Sequence, residues 1–269
     1  MNAGSILPQQ ESIDALFSLT TAERVDRLIM AAEEGPLDKL KAILRVVSAD
    51  AQTINGRTAL MTALIHERVA QTLHLIPISD LSLRDAGGNT PAILAAYNGF
   101  IEGLRRVMAG CDVNARDDES ATALMWAAAN DNPDCVELLL TDARCDPTLV
   151  LGDCFYAQGA IFRHHLKLAN KAAGVDIRAP DSGKDAFWLA AHCGHWACAD
   201  LLAPYAEASL LNDVMAFAGR ERFPRTIARQ EAQALREVVG DAANGSPAGS
   251  LASSALSSAN AAVRAASRL

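Results

Sequence analysis

Three threonines, Thr58, Thr90 and Thr122, stand 32 residues apart, and each opens a similar apolar run. The runs are Gly56-Arg57-Thr58-Ala59-Leu60-Met61-Thr62-Ala63, Asn89-Thr90-Pro91-Ala92-Ile93-Leu94-Ala95-Ala96-Tyr97-Asn98-Gly99 and Ala121-Thr122-Ala123-Leu124-Met125-Trp126-Ala127-Ala128-Ala129-Asn130. The same step backwards reaches Asp26, with Ala31-Ala32 and Gly35 following. Forwards it reaches Cys154 with Gly159-Ala160, and a further step one residue short reaches Asp185, followed by Phe187-Trp188-Leu189-Ala190-Ala191-His192-Cys193-Gly194-His195. Self-similarity at a fixed period restricts a chain to architectures in which each unit leans on its neighbours.

Each unit reads as two helices. Thr58, Thr90, Thr122 and Asp185 are N-cap residues, whose side-chain oxygens accept from free backbone donors of the first turn. Pro91 sits at the first helical position, where its missing N–H costs nothing. Gly35, Gly99 and Gly194 are placed to end the first helix in the left-handed conformation. Second apolar helices are expected over Leu37 to Val47, Ile101 to Met108, Cys135 to Leu140 and Ala197 to Leu202. Segments such as Gly110-Cys111-Asp112-Val113-Asn114 and Gly174-Val175-Asp176-Ile177-Arg178 then lead to the next unit. Alanine and leucine dominate and aromatics make up only 5%, which favours helix over sheet. Neither helix of a unit can bury its apolar stripe alone, so stacking supplies the core.

These residues resemble the ankyrin-repeat family. The pattern is carried by Thr90-Pro91 with Ala95-Ala96 and Gly99, by Cys111-Asp112-Val113-Asn114, by Cys135-Val136-Glu137-Leu138-Leu139-Leu140, and by Asp185 to His195. The Thr-Ala-Leu-Met opening at 58 and 122 also resembles ankyrin-rich proteins of diplomonad protists. The resemblance implies an all-α solenoid of about six helix-turn-helix units. Departures fall at Glu67, Asp131 and Arg163, which replace the glycine and predict looser or differently capped helix ends. The unit at 154 also lacks the threonine cap and carries Lys171-Ala172 in place of a leucine pair, which predicts a distorted or lengthened helix near Phe162 to Ala173.

Four segments follow: an N-terminal capping segment over 1–22, the repeats over 23–206, C-terminal capping helices over 207–239, and an Ala/Ser-rich tail over 240–269 expected to be disordered. Thr20 with Glu23 has capping-box spacing, and Ile13, Leu16 and Phe17 read as a short covering helix. Ala208 to Val239 reads as two helices broken at Pro224.

The chain carries a formal net charge of −8. That sign repels a phosphate backbone and argues against nucleic acid as a partner. Met1 to Gln10 does not read as a secretory signal, and no apolar run is long enough to span a membrane. The cytosol and reduced thiols are therefore expected for the six cysteines, Cys111, Cys135, Cys145, Cys154, Cys193 and Cys198.

Few residues suggest chemistry. His192, Cys193, His195 and Cys198 have metal-like spacing, but His195 stands where the family pattern itself places histidine, and Cys198 falls on a buried stripe. Adjacent His164 and His165 point about 100° apart on a helix and chelate poorly. Cys154 occupies an N-cap register, where a thiol pKa is lowered; a tolerated replacement for threonine is the simpler reading. No phosphate-cradling loop, nucleophile elbow or paired-carboxylate site is present. The chain is thus expected to be non-catalytic and to need no cofactor. A thiol- or metal-responsive regulator using Cys154 or the His192/Cys193/His195/Cys198 cluster is the alternative.

The family resemblance places partner contacts on the finger tips between units and on the inner face of the first helices. By offset, the fingers offer Asn55, Arg57, Asn89, Asp118, Glu119, Asp153 and Lys184. The helices offer Ile65, His66, Tyr97, Asn98, Asn130, Ile161, Phe162, His192 and Cys193. Tyr97 and Phe162 are the anchor candidates, since aromatics dominate interface energetics. Trp126 and Trp188 are expected in the core. Asp117-Asp118-Glu119 reads as a solvated tip or recognition patch, and its acids would steer a basic protein or peptide.

Overall fold

The 32-residue period becomes a series of helical hairpins. The structure is a computed structural model that describes residues 16–151 and 183–243, excepting the side chains of Leu235 and of residues 237–243. Among the described residues every regular element is helical. The chain divides into two compact units; their described parts are 16–145, and 146–151 with 183–243.

The first unit holds four hairpins: α1 (Thr21–Glu33) with α2 (Leu37–Ile43), α3 (Ala59–Ile65) with α4 (Val69–Leu75), α5 (Pro91–Asn98) with α6 (Ile101–Val107), and α7 (Ala123–Ala129) with α8 (Pro133–Leu140). First helices pack on first helices, α1 on α3, α3 on α5 and α5 on α7; second helices follow the same order. The first helices are buried nearly all round. In α3 Ala59 to Leu64 are all buried, in α5 Pro91 to Ala96, and in α7 Ala123 to Ala128. Such helices have almost no stability outside the stack, because a seven- or eight-residue helix is marginal in water.

Local signals set the helix starts. The Oγ1 atoms of Thr58, Thr90 and Thr122 accept from the backbone N–H of Met61, Ile93 and Met125 at 3.2, 3.4 and 3.3 Å. Thr20 and Glu23 form the reciprocal capping box of α1. Upstream, Leu16 is buried, and the Arg24 guanidinium donates to the Leu16 and Phe17 carbonyls at 2.9 Å each. Two second helices are shorter than their expected runs, α2 stopping at Ile43 and α6 at Val107, and α4 and α6 pass into single 3₁₀ turns at Ile76–Ile78 and Met108–Gly110; α8 covers its expected run in full.

The helix ends correct two expectations. Glu67 and Asp131 do not loosen the turn. They adopt φ of 55° and 57°, against 75° at Gly99 and 77° at Gly194. Arg68, Phe100, Asn132 and His195 then donate to Ala63, Ala95, Ala127 and Ala190 in the same closing bond, at 2.8 to 3.0 Å. Gly35, in contrast, is not left-handed; α1 ends at Glu34 with φ −127°, and Pro36 starts the next helix.

In the second unit α9 (Ala186–Cys193) and α10 (Trp196–Leu202) form another hairpin, followed by α11 (Ala208–Ala218) and α12 (Pro224–Ala243). Asp185 caps α9 by accepting from Trp188 N–H at 2.7 Å. Pro224 does not only break a helix: it begins α12, whose first free donors are met from another helix. The Asp200 carboxylate, on α10, accepts from the N–H of Arg225 and Thr226 at 2.9 Å and from the Thr226 hydroxyl at 2.6 Å. Helix α12 reaches Ala243, past Gly240. The expected irregular helix at 162–173 and the bulk of the tail lie outside the described residues.

Candidate functional site

The finger tips are built identically three times. The N–H groups of Thr53, Asp85 and Asp117 donate to the carbonyls of Arg57, Asn89 and Ala121 at 3.0, 3.1 and 3.0 Å. Those of Gly56, Gly88 and Ser120 donate back to Thr53, Asp85 and Asp117. The tight turn needs a left-handed residue, supplied at φ 71° by Gly56, 74° by Gly88 and 63° by Ser120.

Backbone bonds then join one finger to the next: Ala86 N–H to Asn55 O at 2.8 Å, and Asp118 N–H to Gly87 O at 3.1 Å. A side-chain ladder runs alongside. Gln52 Nε2 donates to Gly56 O at 2.7 Å and to Arg84 O at 3.0 Å; Arg84 Nη1 repeats the pattern onto Gly88 O and Arg116 O. Arg116 Nη1 donates to Ser120 O at 3.3 Å. Sequence reading overlooked Gln52, Arg84 and Arg116, although their 32-residue spacing was the available signal. It also overlooked Ile54, whose side chain is 101% exposed at the first finger tip.

The acids expected to be solvated separate into different roles. Asp117 is buried: its Oδ1 accepts from the N–H of Glu119 and Ala121, and its Oδ2 from Trp126 Nε1. Burial raises its carboxyl above the ordinary value, against the lowering effect of the Trp126 hydrogen bond. Asp118 is exposed and Glu119 half-buried. Asn89 is half-buried, its Nδ2 held by Asp85 Oδ1 at 3.0 Å. Asn55 and Arg57 are exposed.

On the first helices, four side chains occupy one position of successive units: Glu33, Ile65, Tyr97 and Ala129. The next position holds Glu34, His66, Asn98 and Asn130. None of the eight is fully buried. His66 Nε2 lies 3.4 Å from Glu33 Oε1. The Tyr97 ring meets Trp126 edge-on at 5.2 Å, with Trp126 only 5% exposed. Asn98 and Asn130 are turned alike, each Nδ2 donating to the carbonyl one turn back, Leu94 and Trp126, at 2.8 and 2.9 Å. Their Oδ1 acceptors are left for another donor.

Asn55, Arg57, Ile65, His66, Asn89, Tyr97, Asn98, Asp118, Glu119 and Asn130 all belong to the first unit. His192 belongs to the second unit, where it is half-buried and stacked on Trp188 at 4.3 Å. Trp188 is buried as well, with Lys184 Nζ 5.0 Å from its ring centroid. Cys193 is buried. Ile161, Phe162, Asp153 and Cys154 lie outside the described residues.

Burial also sets thiol chemistry. Cys111, Cys135 and Cys193 are free, and desolvation pushes the first two up to about 11 and Cys193 to about 12. A thiol so raised is a poor nucleophile and a poor metal ligand at neutral pH. Cys198 is fully buried. Among the described residues no three His, Cys, Asp or Glu side chains are grouped to hold a metal ion. Nor is any described helix long and apolar enough to cross a membrane.

Comparison with known proteins matches the same part of the chain. The sequence model for ankyrin repeats, in three copies, matches residues 28–117 and 65–150. Neurogenic locus notch homolog protein 2 of Homo sapiens and of Mus musculus are each 38% identical over 118 residues, 42% of this chain and 5% of those proteins. Neurogenic locus notch homolog protein 1 of Homo sapiens is 40% identical over 120 residues, again 42% of this chain and 5% of the relative. The chain therefore spans about a twentieth of the length of these relatives.

Proposed function

Since this chain belongs to the ankyrin-repeat family, through residues 28–150, we propose that it works as a non-catalytic adaptor in the cytosol. It would hold one or more partner proteins or peptides on the concave surface formed by its finger tips and first helices. The observation that carries this reading is the aligned double row at the ends of the first helices. Ile65, Tyr97, Asn98 and Asn130 there are only half-buried, while the rest of α3, α5 and α7 is almost wholly core.

Packing alone does not require an aromatic ring and two outward amide oxygens along such a row. Tyr97 supports this use physically. Its ring is braced by Trp126, so it would lose little conformational freedom on binding. Asp118 and Arg57 flank the row with charge at the fingers, where they would steer association more than they add affinity.

Capture of the partner by wild-type chain and by a Tyr97→Ala plus Asp118→Lys variant, with circular dichroism melting of both, tests the proposal. The variant is expected to keep its helical melt and lose the partner. Equal capture by both forms overturns the reading.

A further inference from the structure

The double row changes character from one end to the other. In the α1 unit it is acidic, Glu33 with Glu34; in the α3 unit it is Ile65 with His66; in the α5 unit Tyr97 with Asn98; in the α7 unit Ala129 with Asn130. Glu67, just past α3, adds a third acid at the same end; it and Glu34 are exposed and Glu33 is half-buried. The hairpin turns of the first two units touch there, since Arg68 Nε donates to Glu33 O at 2.6 Å and Gln71 Nε2 to Gly35 O at 2.9 Å. Arg68 follows Glu67 at this turn, and His66 Nε2 is beside Glu33 Oε1.

The acids sit where helix physics disfavours them. The C-terminal end of a helix carries partial negative charge, so an acid there is adverse and a base favourable. Yet α1 and α3 have no base in their last turn. The bases of α1, Arg24 and Arg27, lie in its first two turns, away from this end, and others stand on second helices, Lys39 and Lys41 on α2 and Arg105 and Arg106 on α6. A complementary cation from outside would relieve the excess negative field.

We infer that this face takes an extended segment of a partner protein whose one end carries Lys or Arg and whose centre is aliphatic. This rests on the adaptor reading above and specifies its ligand. The cationic end would lie over Glu33, Glu34 and Glu67, the aliphatic centre over Ile65 and Tyr97, and backbone or side-chain donors would meet the Oδ1 atoms of Asn98 and Asn130. Packed helices are spaced about 10 Å apart, a distance an extended or polyproline chain covers in about three residues. The segment would therefore present a contact residue at every third position.

The test uses the full chain against a positional-scanning array of capped dodecapeptides. Selection of Lys or Arg at one end and of Leu, Ile or Met in the centre is the expected result. Selection of Asp or Glu, or no selection, overturns the inference. The best peptide is then measured by fluorescence anisotropy against a Glu33→Gln, Glu34→Gln, Glu67→Gly variant. This change removes adverse charges and a strained backbone position, so weaker binding is not explained by unfolding. About tenfold weaker binding, with salt sensitivity lost, is expected; unchanged affinity overturns the charge assignment. Partner capture abolished by the Tyr97 and Asp118 variant but untouched by the triple variant would leave the adaptor reading standing and sink only the basic-segment one. Capture untouched by either variant would sink both.

Discussion

The indole N–H of Trp126 donates to the Asp117 carboxylate at 2.5 Å, tying the third finger to the first helix of its own unit. The same carboxylate holds its turn by accepting from Glu119 and Ala121. One buried side chain thus fixes the finger's shape, its angle to α7 and the ring against which Tyr97 rests.

Asp117→Ala leaves a buried indole donor and two turn donors without a protein acceptor. It is expected to cost about 2–4 kcal/mol, on the order of the desolvation penalty of the orphaned donors. Urea denaturation of Asp117→Ala, Trp126→Phe and the double variant measures it. If the two single losses simply add, the pair is not coupled and this account of the finger is wrong.

Glu67→Gly and Asp131→Gly should each stabilise the chain by about 0.5–1 kcal/mol. Relief of a left-handed non-glycine residue outweighs the extra freedom given to the unfolded chain. Gly99→Ala should do the reverse, because its Cβ would come within 2.6 Å of Asn132 Oδ1 as well as straining the backbone. Thermal midpoints of the three variants check the signs.

Removing the Asp200 carboxylate unpairs the first donors of α12 in a buried place, Asp200 being 3% exposed. Asp200→Ala is expected to lose about 2–4 kcal/mol. The loss should concentrate in α12, so hydrogen exchange over 224–234 should accelerate while α3 to α8 stay protected. Uniform acceleration would contradict a local latch.

Two aspartates should titrate in opposite directions. The Arg144 side-chain hydrogen bond holds Asp142 below its ordinary value near 3.8, so its contribution to stability is present above that pH and is lost as pH falls through the folded value. Burial holds Asp117 above 3.8, so between 3.8 and its folded value the native state binds more protons than the unfolded one, and stability falls as pH rises through that window. Carboxyl carbon shifts followed by NMR between about pH 2 and 7 would place the two on opposite sides of the ordinary value. Coincident titrations would refute both assignments.

The amino-acid sequence by itself determined the period, the helix starts and the helical class. Those rest on contacts within a few residues, such as Thr90 Oγ1 to Ile93 N–H and the Thr20–Glu23 box, or on a pattern repeated along the chain. The same offsets also picked out Ile65, Tyr97, Asn98 and Asn130, because a residue's place within a repeat largely sets which face it takes.

Only the tertiary structure decided what happens at Glu67, Asp131, Asp117 and Asp200. A left-handed glutamate is locally unfavourable, but the hairpins closed at Glu67, Gly99, Asp131 and Gly194 share one turn geometry, and packing overrides the local preference. Asp117 belongs to a run of acids that looks solvated, and Asp200 caps a helix 25 residues further along. Both are set by contacts between elements, where the cost of burying a charge is offset by donors that no local pattern reveals.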